Sequence, residues 1–301
     1  MNTSECHPGT SLGGNAFSGL IRINSKQNTS ILSKLNFMII RHNKISLYLI
    51  ILLFLSGNFL PAFASDIAKE KRMKEQVADY VMDGEVVLLK DGSHEFLSIY
   101  METDEQPAKG AVIIIHGRGY HPNWPELVYP LRTGLPEHGW NTLSIQMPVL
   151  SNDSSFYDYM KILPLGHPRI ESALSFLKLK NTRNIIILAH SCGVHMAFDW
   201  LHKNPEKGIS AFIGVGMGST DYGQPMLKPF PLDDIKIPLL DIRGEHDYPA
   251  VHRNAGRRME KIKQAGNPKS QQRVVAKSDH YFTDRGDALL KEVANWLDTL
   301  K

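Results

Sequence analysis

The stretch Asn184–Gly193 reads NIIILAHSCG. Its apolar run, Ile185–Leu188, is typical of a buried parallel strand. The run ends in AHSCG, with Ser191 at the centre, and a helical spacing of apolar residues follows at Val194, Ala197, Phe198 and Leu201. A strand, a tight turn with a central serine and a helix place a hydroxyl at the carboxyl edge of a sheet. We therefore predict that Ser191 is a nucleophile.

Apolar runs alternate with helical patterns on both sides of this stretch. Buried strands are predicted at 110–115, 141–146, 210–215, 237–242 and 272–276, and helices at 66–82, 125–138, 167–179, 248–265 and 287–300. Earlier, Glu85–Lys90 and Glu95–Met101 flank Asp91-Gly92, a turn signal that predicts antiparallel opening strands. The alternation predicts one α/β domain with a mostly parallel, doubly wound sheet of about eight strands. Pro148–Gly166 is expected to be a long loop.

The segments after the later strands offer an acid and a base. A serine nucleophile in this kind of sheet is followed along the chain first by an acid and then by a histidine. Asp247 follows the second strand beyond the serine and is the predicted acid, with Glu245 as the nearest alternative. Asp241 lies inside that strand and is expected to face a neighbouring layer. His280 follows the last strand and is the predicted base, which would take the Ser191 proton and return it to the leaving group.

An oxyanion hole requires backbone N–H donors near the serine. Cys192, directly after the serine, is predicted to supply one, and its thiol is expected to pack rather than react. The second donor is expected from the turn after 110–115, where Arg118 is favoured by position and Gly119 stays an alternative. Gly117 and Gly119 would let the backbone approach a substrate closely.

Substrate binding is predicted for three further residues and for Gly117. Tyr157, Tyr159 and Met160 lie in the expected 148–166 loop and would line an acyl pocket. No metal is predicted, because the pairs His190/His195 and His116/His121 lie on different elements and no metal-binding spacing occurs. No cofactor is expected either.

One basic cluster follows the predicted acid. It is expected to be a solvated helix face and comprises Arg253, Arg257, Arg258, Lys261 and Lys263.

Residues 38–64 have the pattern of a secretory signal peptide. A basic start at Arg41 and Lys44 precedes an apolar segment and an A-x-A site, so cleavage is expected between Ala64 and Ser65. Residues 1–37 are polar and without period, and we expect an upstream extension or a disordered segment, with Met38 as the candidate start. The mature protein, 65–301, would be periplasmic or secreted, without a stable membrane anchor.

The net charge of +3 comes largely from residues 1–64. Residues 1–64 hold five basic residues and one acidic residue. The remainder therefore lacks the basic excess of a nucleic-acid-binding protein. Cys192 would be the only cysteine of the mature chain, so no internal disulfide is expected.

Taken together, the motifs resemble the α/β-hydrolase superfamily across roughly residues 84–300. The segments IIIHGRGYHPNWPELVYP, LAHSCG, DIRGEHD and SDHYF are most similar to an uncharacterised Gram-negative family of exported α/β-hydrolase-like proteins. The resemblance implies the α/β-hydrolase fold, a triad of Ser191, Asp247 and His280, and ester hydrolysis. One departure is Ala189, which stands where the superfamily turn usually has glycine; it is small enough for the strand and helix to cross closely.

The sequence therefore predicts an exported serine hydrolase that cleaves a small-molecule carboxylic ester. A peptidase, thioesterase or acyltransferase with the same triad remains an alternative, because these activities differ in pocket shape and water access. A non-catalytic envelope protein that binds ligands through the same scaffold is the alternative from another class.

Overall fold

The strands of the protein form one sheet. The structure is a computed structural model, and it describes residues 34, 36–38, 64–92, 94–205, 208–218, 226 and 228–300. The strands are β1 (Glu85–Lys90), β2 (Glu95–Met101), β3 (Gly110–Ile115), β4 (Trp140–Ile145), β5 (Ile185–His190), β6 (Ala211–Val215), β7 (Leu239–Gly244) and β8 (Gln271–Val275). Their order is β1-β2-β4-β3-β5-β6-β7-β8. Strand β2 runs antiparallel to β1 and β4, and the other neighbours are parallel. The predicted sheet is confirmed.

Helices precede, connect and follow the strands. They are α1 (Ile67–Ala78), α2 (Val128–Gly134), α3 (Phe156–Ile162), α4 (His167–Leu179), α5 (Cys192–Lys203), α6 (Pro249–Arg253), α7 (Ala255–Ala265) and α8 (Gly286–Leu297). Short 3-10 turns follow at Leu135–His138, Leu163–Gly166 and Asp298–Leu300.

Both faces of the central strands are covered, which explains their unbroken apolar runs. In β3, Ile113 and Ile115 belong to a core shared with α3, α4 and α5. Val112 and Ile114, which alternate with them, belong to a second core shared with α2 and α8. The sheet is therefore doubly wound, with the serine turn at the end of its central strand β5.

Two predicted elements differ from the structure. The expected loop 148–166 contains α3, because Ser155 and Asp158 form a capping box in which each side chain accepts the other's backbone N–H. The expected helix 248–265 is two helices. Asn254 separates them at φ −92° and ψ −4°, and its side chain donates to the Ala250 carbonyl at 3.0 Å.

The chain divides into two compact units, Met1–Ala62 and Phe63–Lys301. Residue 34 and residues 36–38 of the first unit are helical. Apart from these residues and Ala64, the predicted extension (1–37) and the predicted signal peptide (38–64) lie outside the described residues. Among the described residues, no helix is long and apolar enough to cross a membrane.

Candidate active site

Ser191 occupies the sharp turn between β5 and α5. Its backbone is at φ 52° and ψ −117°, a region that non-glycine residues rarely adopt. The Ser191 N–H donates to the Val215 carbonyl at 2.9 Å, which joins the turn to β6. Two residues on, a side chain at Gly193 would overlap the His116 carbonyl, so only glycine allows α5 to cross β3 this closely.

The three predicted triad residues meet at this turn. The Nε2 atom of His280 lies 2.8 Å from Oγ of Ser191, and its Nδ1 atom lies 2.6 Å from Oδ1 of Asp247. All three are buried, with Ser191 5%, Asp247 5% and His280 3% exposed. Residues distant in sequence therefore form one hydrogen-bonded chain from hydroxyl to carboxylate.

Asp247 determines which ring nitrogen of His280 carries the proton. Burial raises the pKa of its carboxyl group, but the His280 hydrogen bond and charge and the Tyr248 backbone N–H outweigh burial, so the net pKa is lowered. An ionised Asp247 can only accept, so Nδ1 of His280 carries the proton. That leaves Nε2 free to accept the Ser191 hydroxyl proton.

Two residues that sequence reasoning missed hold the imidazole in place. His190 Nε2 donates to the His280 carbonyl at 2.9 Å. Gly216, at φ 61°, leaves room for the ring, since a Cβ there would lie 2.9 Å from Cε1 of His280. His190 directly precedes the serine, but nothing in the sequence pairs it with His280, which lies 90 positions later.

The alternative acids have other partners. Glu245 accepts the Lys277 backbone N–H at 2.7 Å. Asp241 pairs with Arg258 of α7, with Oδ2 and Nε 2.8 Å apart, and so faces the neighbouring helical layer as predicted. The expectation that Arg258 belongs to a solvated basic face is wrong, because this buried carboxylate draws it into the interior.

A cavity of about 290 Å³ opens over Ser191. Its walls come from α1, the turn after β3, the 148–166 segment and the loop after β8, and include Lys69, Arg118, Gly119, Tyr159 and Tyr281. The serine hydroxyl is therefore accessible to a small molecule.

The predicted oxyanion donors lie next to Ser191 in sequence or line the cavity. Cys192 is the first residue of α5, so its backbone N–H has no partner within the helix. Arg118 and Gly119 line the cavity together with Ser191. The Gly119 N–H faces the Tyr159 hydroxyl, which favours Arg118 over Gly119 as the second donor. Burial raises the pKa of the Cys192 thiol to about 12, so this thiol packs in the core in its protonated form.

Of the residues expected to line an acyl pocket, the structure brings Tyr159 to the cavity. Its hydroxyl accepts the Leu150 N–H at 2.9 Å, and burial raises its pKa to about 12. Tyr157 and Met160 do not line the cavity; because this stretch is a helix, both pack against the core. Gly117 borders Ser191 and is needed for close packing, since a Cβ there would lie 2.8 Å from Nδ1 of His190.

Three further histidines, His116, His190 and His195, are buried. Burial lowers the pKa of His116 and of His190 to about 3 and that of His195 to about 4. His116 accepts the Met147 N–H at Nε2, and His195 contacts the Gly218 carbonyl. In the part of the chain that the structure describes, no group of three or more His, Cys, Asp or Glu is arranged to hold a metal ion.

Part of the chain matches a family model. The model of a family described as protein of unknown function (DUF3530) matches residues 63–158. No curated protein matches the chain.

Several solved structures share the fold. An esterase from Pyrococcus furiosus is 16% identical, with a TM-score of 0.56 over 74% of this chain and 93% of its own. The protein Est1E from Butyrivibrio proteoclasticus is 14% identical, with a TM-score of 0.55 over 71% and 98%. An α/β serine hydrolase without a lid from Xanthomonas campestris is 10% identical, with a TM-score of 0.53 over 73% and 96%. At such identities the likeness concerns the fold alone, and the chain has the α/β-hydrolase fold.

Proposed function

We propose that the protein is a serine hydrolase that cleaves a carboxylic ester through an acyl-enzyme. The observation that carries the proposal is the buried, hydrogen-bonded chain of Ser191, His280 and Asp247 at the floor of an open cavity. The esterase and serine hydrolase among the solved structures of this fold support the same class.

In the proposed mechanism each residue has one role. As Oγ of Ser191 attacks the ester carbonyl carbon, Nε2 of His280 takes the hydroxyl proton, and Asp247 stabilises the imidazolium that forms. The backbone N–H groups of Cys192 and Arg118 would bind the negative oxygen of the tetrahedral intermediate. The intermediate then collapses, and the departing alkoxide takes the proton from His280.

Water completes the reaction at the same atoms. His280 takes a proton from a water molecule as its oxygen attacks the acyl carbon bound to Ser191. The carboxylic acid leaves, and the proton returns to Oγ of Ser191.

Labelling with a fluorophosphonate probe tests the nucleophile. The purified 65–301 protein should be labelled, and Ser191→Ala should abolish the label. Ser175→Ala is the matched control, because this exposed serine of α4 donates only to the Glu171 carbonyl and should not affect labelling. An unlabelled wild-type protein would favour the non-catalytic binding scaffold, and a label that persists in Ser191→Ala would place the nucleophile elsewhere.

We also propose that the protein is exported and cleaved between Ala64 and Ser65, as in an exported Gram-negative family. The signal-peptide pattern of residues 38–64 is the main support. Ser65 and Asp66 contact the domain, since the Ser65 hydroxyl and the Asp66 N–H both donate to the Val149 carbonyl, at 3.0 and 2.7 Å. Mass spectrometry of a periplasmic fraction should find an N-terminus at Ser65, whereas an uncleaved cytoplasmic product would contradict export.

A further inference from the structure

The cavity over Ser191 has a cationic wall. Lys69 of α1 and Arg118 of the turn after β3 both line it, and none of its described lining residues is a carboxylate. The remaining polar walls are neutral, with hydroxyls from Ser151, Ser154 and Tyr281 among them. A bound substrate therefore meets two positive groups in the same cavity as the nucleophile.

Lys69 is held by neutral oxygens. Its Nζ donates to the Leu150 carbonyl at 2.9 Å and to Oδ1 of Asn152 at 2.7 Å, which uses two of its three donors. Partial burial lowers the pKa of its ammonium group, while Asp66 acts in the opposite direction. Asp66 is no direct partner of the ammonium, because its carboxylate caps α1 by accepting the Lys69 backbone N–H at 2.8 Å. A third donor thus remains for a ligand.

Arg118 is also half-buried, and none of the described carboxylates pairs with it. Its Nη1 donates to the Ser154 carbonyl at 3.4 Å. Asp158, the nearest carboxylate beyond that carbonyl in α3, is occupied by Lys161 at 2.8 Å and by its capping box. Asp153 is exposed and does not line the cavity. The guanidinium keeps most of its five donors for a planar anion such as a carboxylate or phosphate.

We propose that the substrate is an ester that carries a second, anionic group, a carboxylate or phosphate, which binds between Lys69 and Arg118 while its ester carbonyl lies at Ser191. Within the described part of the chain, neutral oxygens hold both cations. Such partly desolvated cations gain more from an anion than from a neutral group. The proposal rests on the hydrolase function proposed above and specifies its substrate class.

A matched pair of substrates tests the charge alone. The 4-nitrophenyl monoester of adipic acid ends in a carboxylate, and the corresponding ester of adipic monoamide replaces that carboxylate with an uncharged group of nearly equal shape. Wild-type protein should hydrolyse the anionic ester with a kcat/KM at least about tenfold higher, the minimum expected of one charge-assisted hydrogen bond. The preference should fall as ionic strength rises.

Variants then assign the preference to the two cations. Lys69→Met and Arg118→Met should each bring the two kcat/KM values close together, mainly by lowering the value for the anionic ester. Lys71→Met is the matched control: this lysine of α1 is 71% exposed and pairs with Glu75, so the preference should stay. Equal rates on both esters in wild-type protein would overturn the anionic substrate class, and a preference that survives both cavity variants would overturn the proposed anion site between Lys69 and Arg118.

A binding measurement separates this proposal from the hydrolase function. Calorimetric titration of the Ser191→Ala protein with adipate and with adipamide requires no chemistry. Preferential binding of adipate that Lys69→Met removes would support the anion site even if fluorophosphonate labelling failed. Labelled Ser191 together with equal or undetectable binding of both ligands would overturn the anion site and leave the hydrolase function standing.

Discussion

The Nδ1 atom of His280 and the Oδ1 atom of Asp247 are 2.6 Å apart although they belong to loops after different strands. Strands β7 and β8 are parallel neighbours, and their following loops stay joined beyond the sheet. The His246 N–H donates to the Ser278 carbonyl at 2.8 Å, and the Glu245 N–H to the Val275 carbonyl at 2.9 Å. These backbone hydrogen bonds between the two loops thus fix the spacing of Asp247 and His280.

Asp247→Asn should lower kcat strongly while leaving the fold intact. An asparagine amide can donate to Nδ1 and stabilise the wrong imidazole tautomer, so kcat for an activated ester is expected to fall on the order of 10⁴-fold with little change in KM. Steady-state kinetics with the 4-nitrophenyl ester that wild type prefers measures this. Glu245→Gln is the control, because Glu245 contacts only the backbone of the same loop pair; a loss in Glu245→Gln as large as in Asp247→Asn would move the acid role away from Asp247.

Gly216→Ala should impair the site as well as the fold. At φ 61° an added Cβ is strained by about 1 kcal/mol, and it would also lie 2.9 Å from Cε1 and 3.0 Å from Nδ1 of His280. The imidazole must shift, so kcat should fall at least about tenfold, since small displacements of a reacting group are costly.

Gly266→Ala provides the comparison for that substitution. Gly266 ends α7 at φ 83°, with no atom within 4 Å of an added Cβ. The free energy of unfolding of the Gly266→Ala protein should therefore fall by about 1 kcal/mol from backbone strain alone, and its kcat should be unchanged. Urea denaturation measures this loss of stability. Equal kcat values in Gly216→Ala and wild type would show that the ring is not crowded at this position.

These residues also show what sequence reasoning reaches. Strands such as β3 and β5 are predictable because burial on both faces demands an unbroken apolar run. Ser191, Asp247 and His280 are predictable as a set because each follows a strand in a fixed chain order. Gly216 and His190 act through contacts with His280 that no local spacing encodes.

The missed helix α3 has a different cause. A long loop is predicted from the sequence over 148–166, whereas Ser155 and Asp158 form the capping box that begins a helix. Because of the predicted loop, Tyr157 and Met160 are wrongly expected to line the acyl pocket. The orientation of a side chain follows from the type of element, so the lining of the cavity was less predictable than the triad.

The buried histidines should make the fold sensitive to mild acid. The folded pKa values of about 3 for His116 and His190 and about 4 for His195 lie below the unfolded value near 6.5. The unfolded chain therefore binds more protons as pH falls, so stability is fully present above about pH 6.5 and lost below it. Each histidine should contribute about 1.4 kcal/mol per pH unit to the slope of unfolding free energy between roughly pH 6 and 4.5.

His195→Gln tests one of these contributions away from the triad. The His195 ring packs against Phe156 and Phe230 at centroid distances of 5.2 and 4.8 Å, so the substitution will cost stability at pH 7. The slope of unfolding free energy against pH should nevertheless become shallower by about 1.4 kcal/mol per pH unit. His202→Gln replaces an exposed histidine of the same helix and should leave the slope unaltered. A slope that is the same in His195→Gln and wild type would contradict the contribution of His195.

The Asp241–Arg258 ion pair should be costly to break from either side. Asp241 is fully buried, its Oδ2 lies 2.8 Å from Nε of Arg258, and Gln272 adds a hydrogen bond at 2.6 Å. Asp241→Asn or Arg258→Met leaves a buried charge without its partner, so the free energy of unfolding should fall by about 3–5 kcal/mol. Because neither Asp241 nor Arg258 lines the cavity over Ser191, the protein that remains folded should still react with fluorophosphonate at the wild-type rate.

Lys261→Met on the same helix separates burial from ion pairing. Lys261 pairs with Asp233 at 2.9 Å, but the two side chains are 35% and 42% exposed, so water replaces much of the interaction and the loss should stay below about 1 kcal/mol. The double variant Asp241→Asn/Arg258→Met removes both buried charges and should be less destabilised than the sum of the single variants. Urea denaturation of the four proteins measures these differences. Additive losses, or a loss in Lys261→Met equal to that in Arg258→Met, would mean that the buried pair stabilises the sheet no more than a surface pair does.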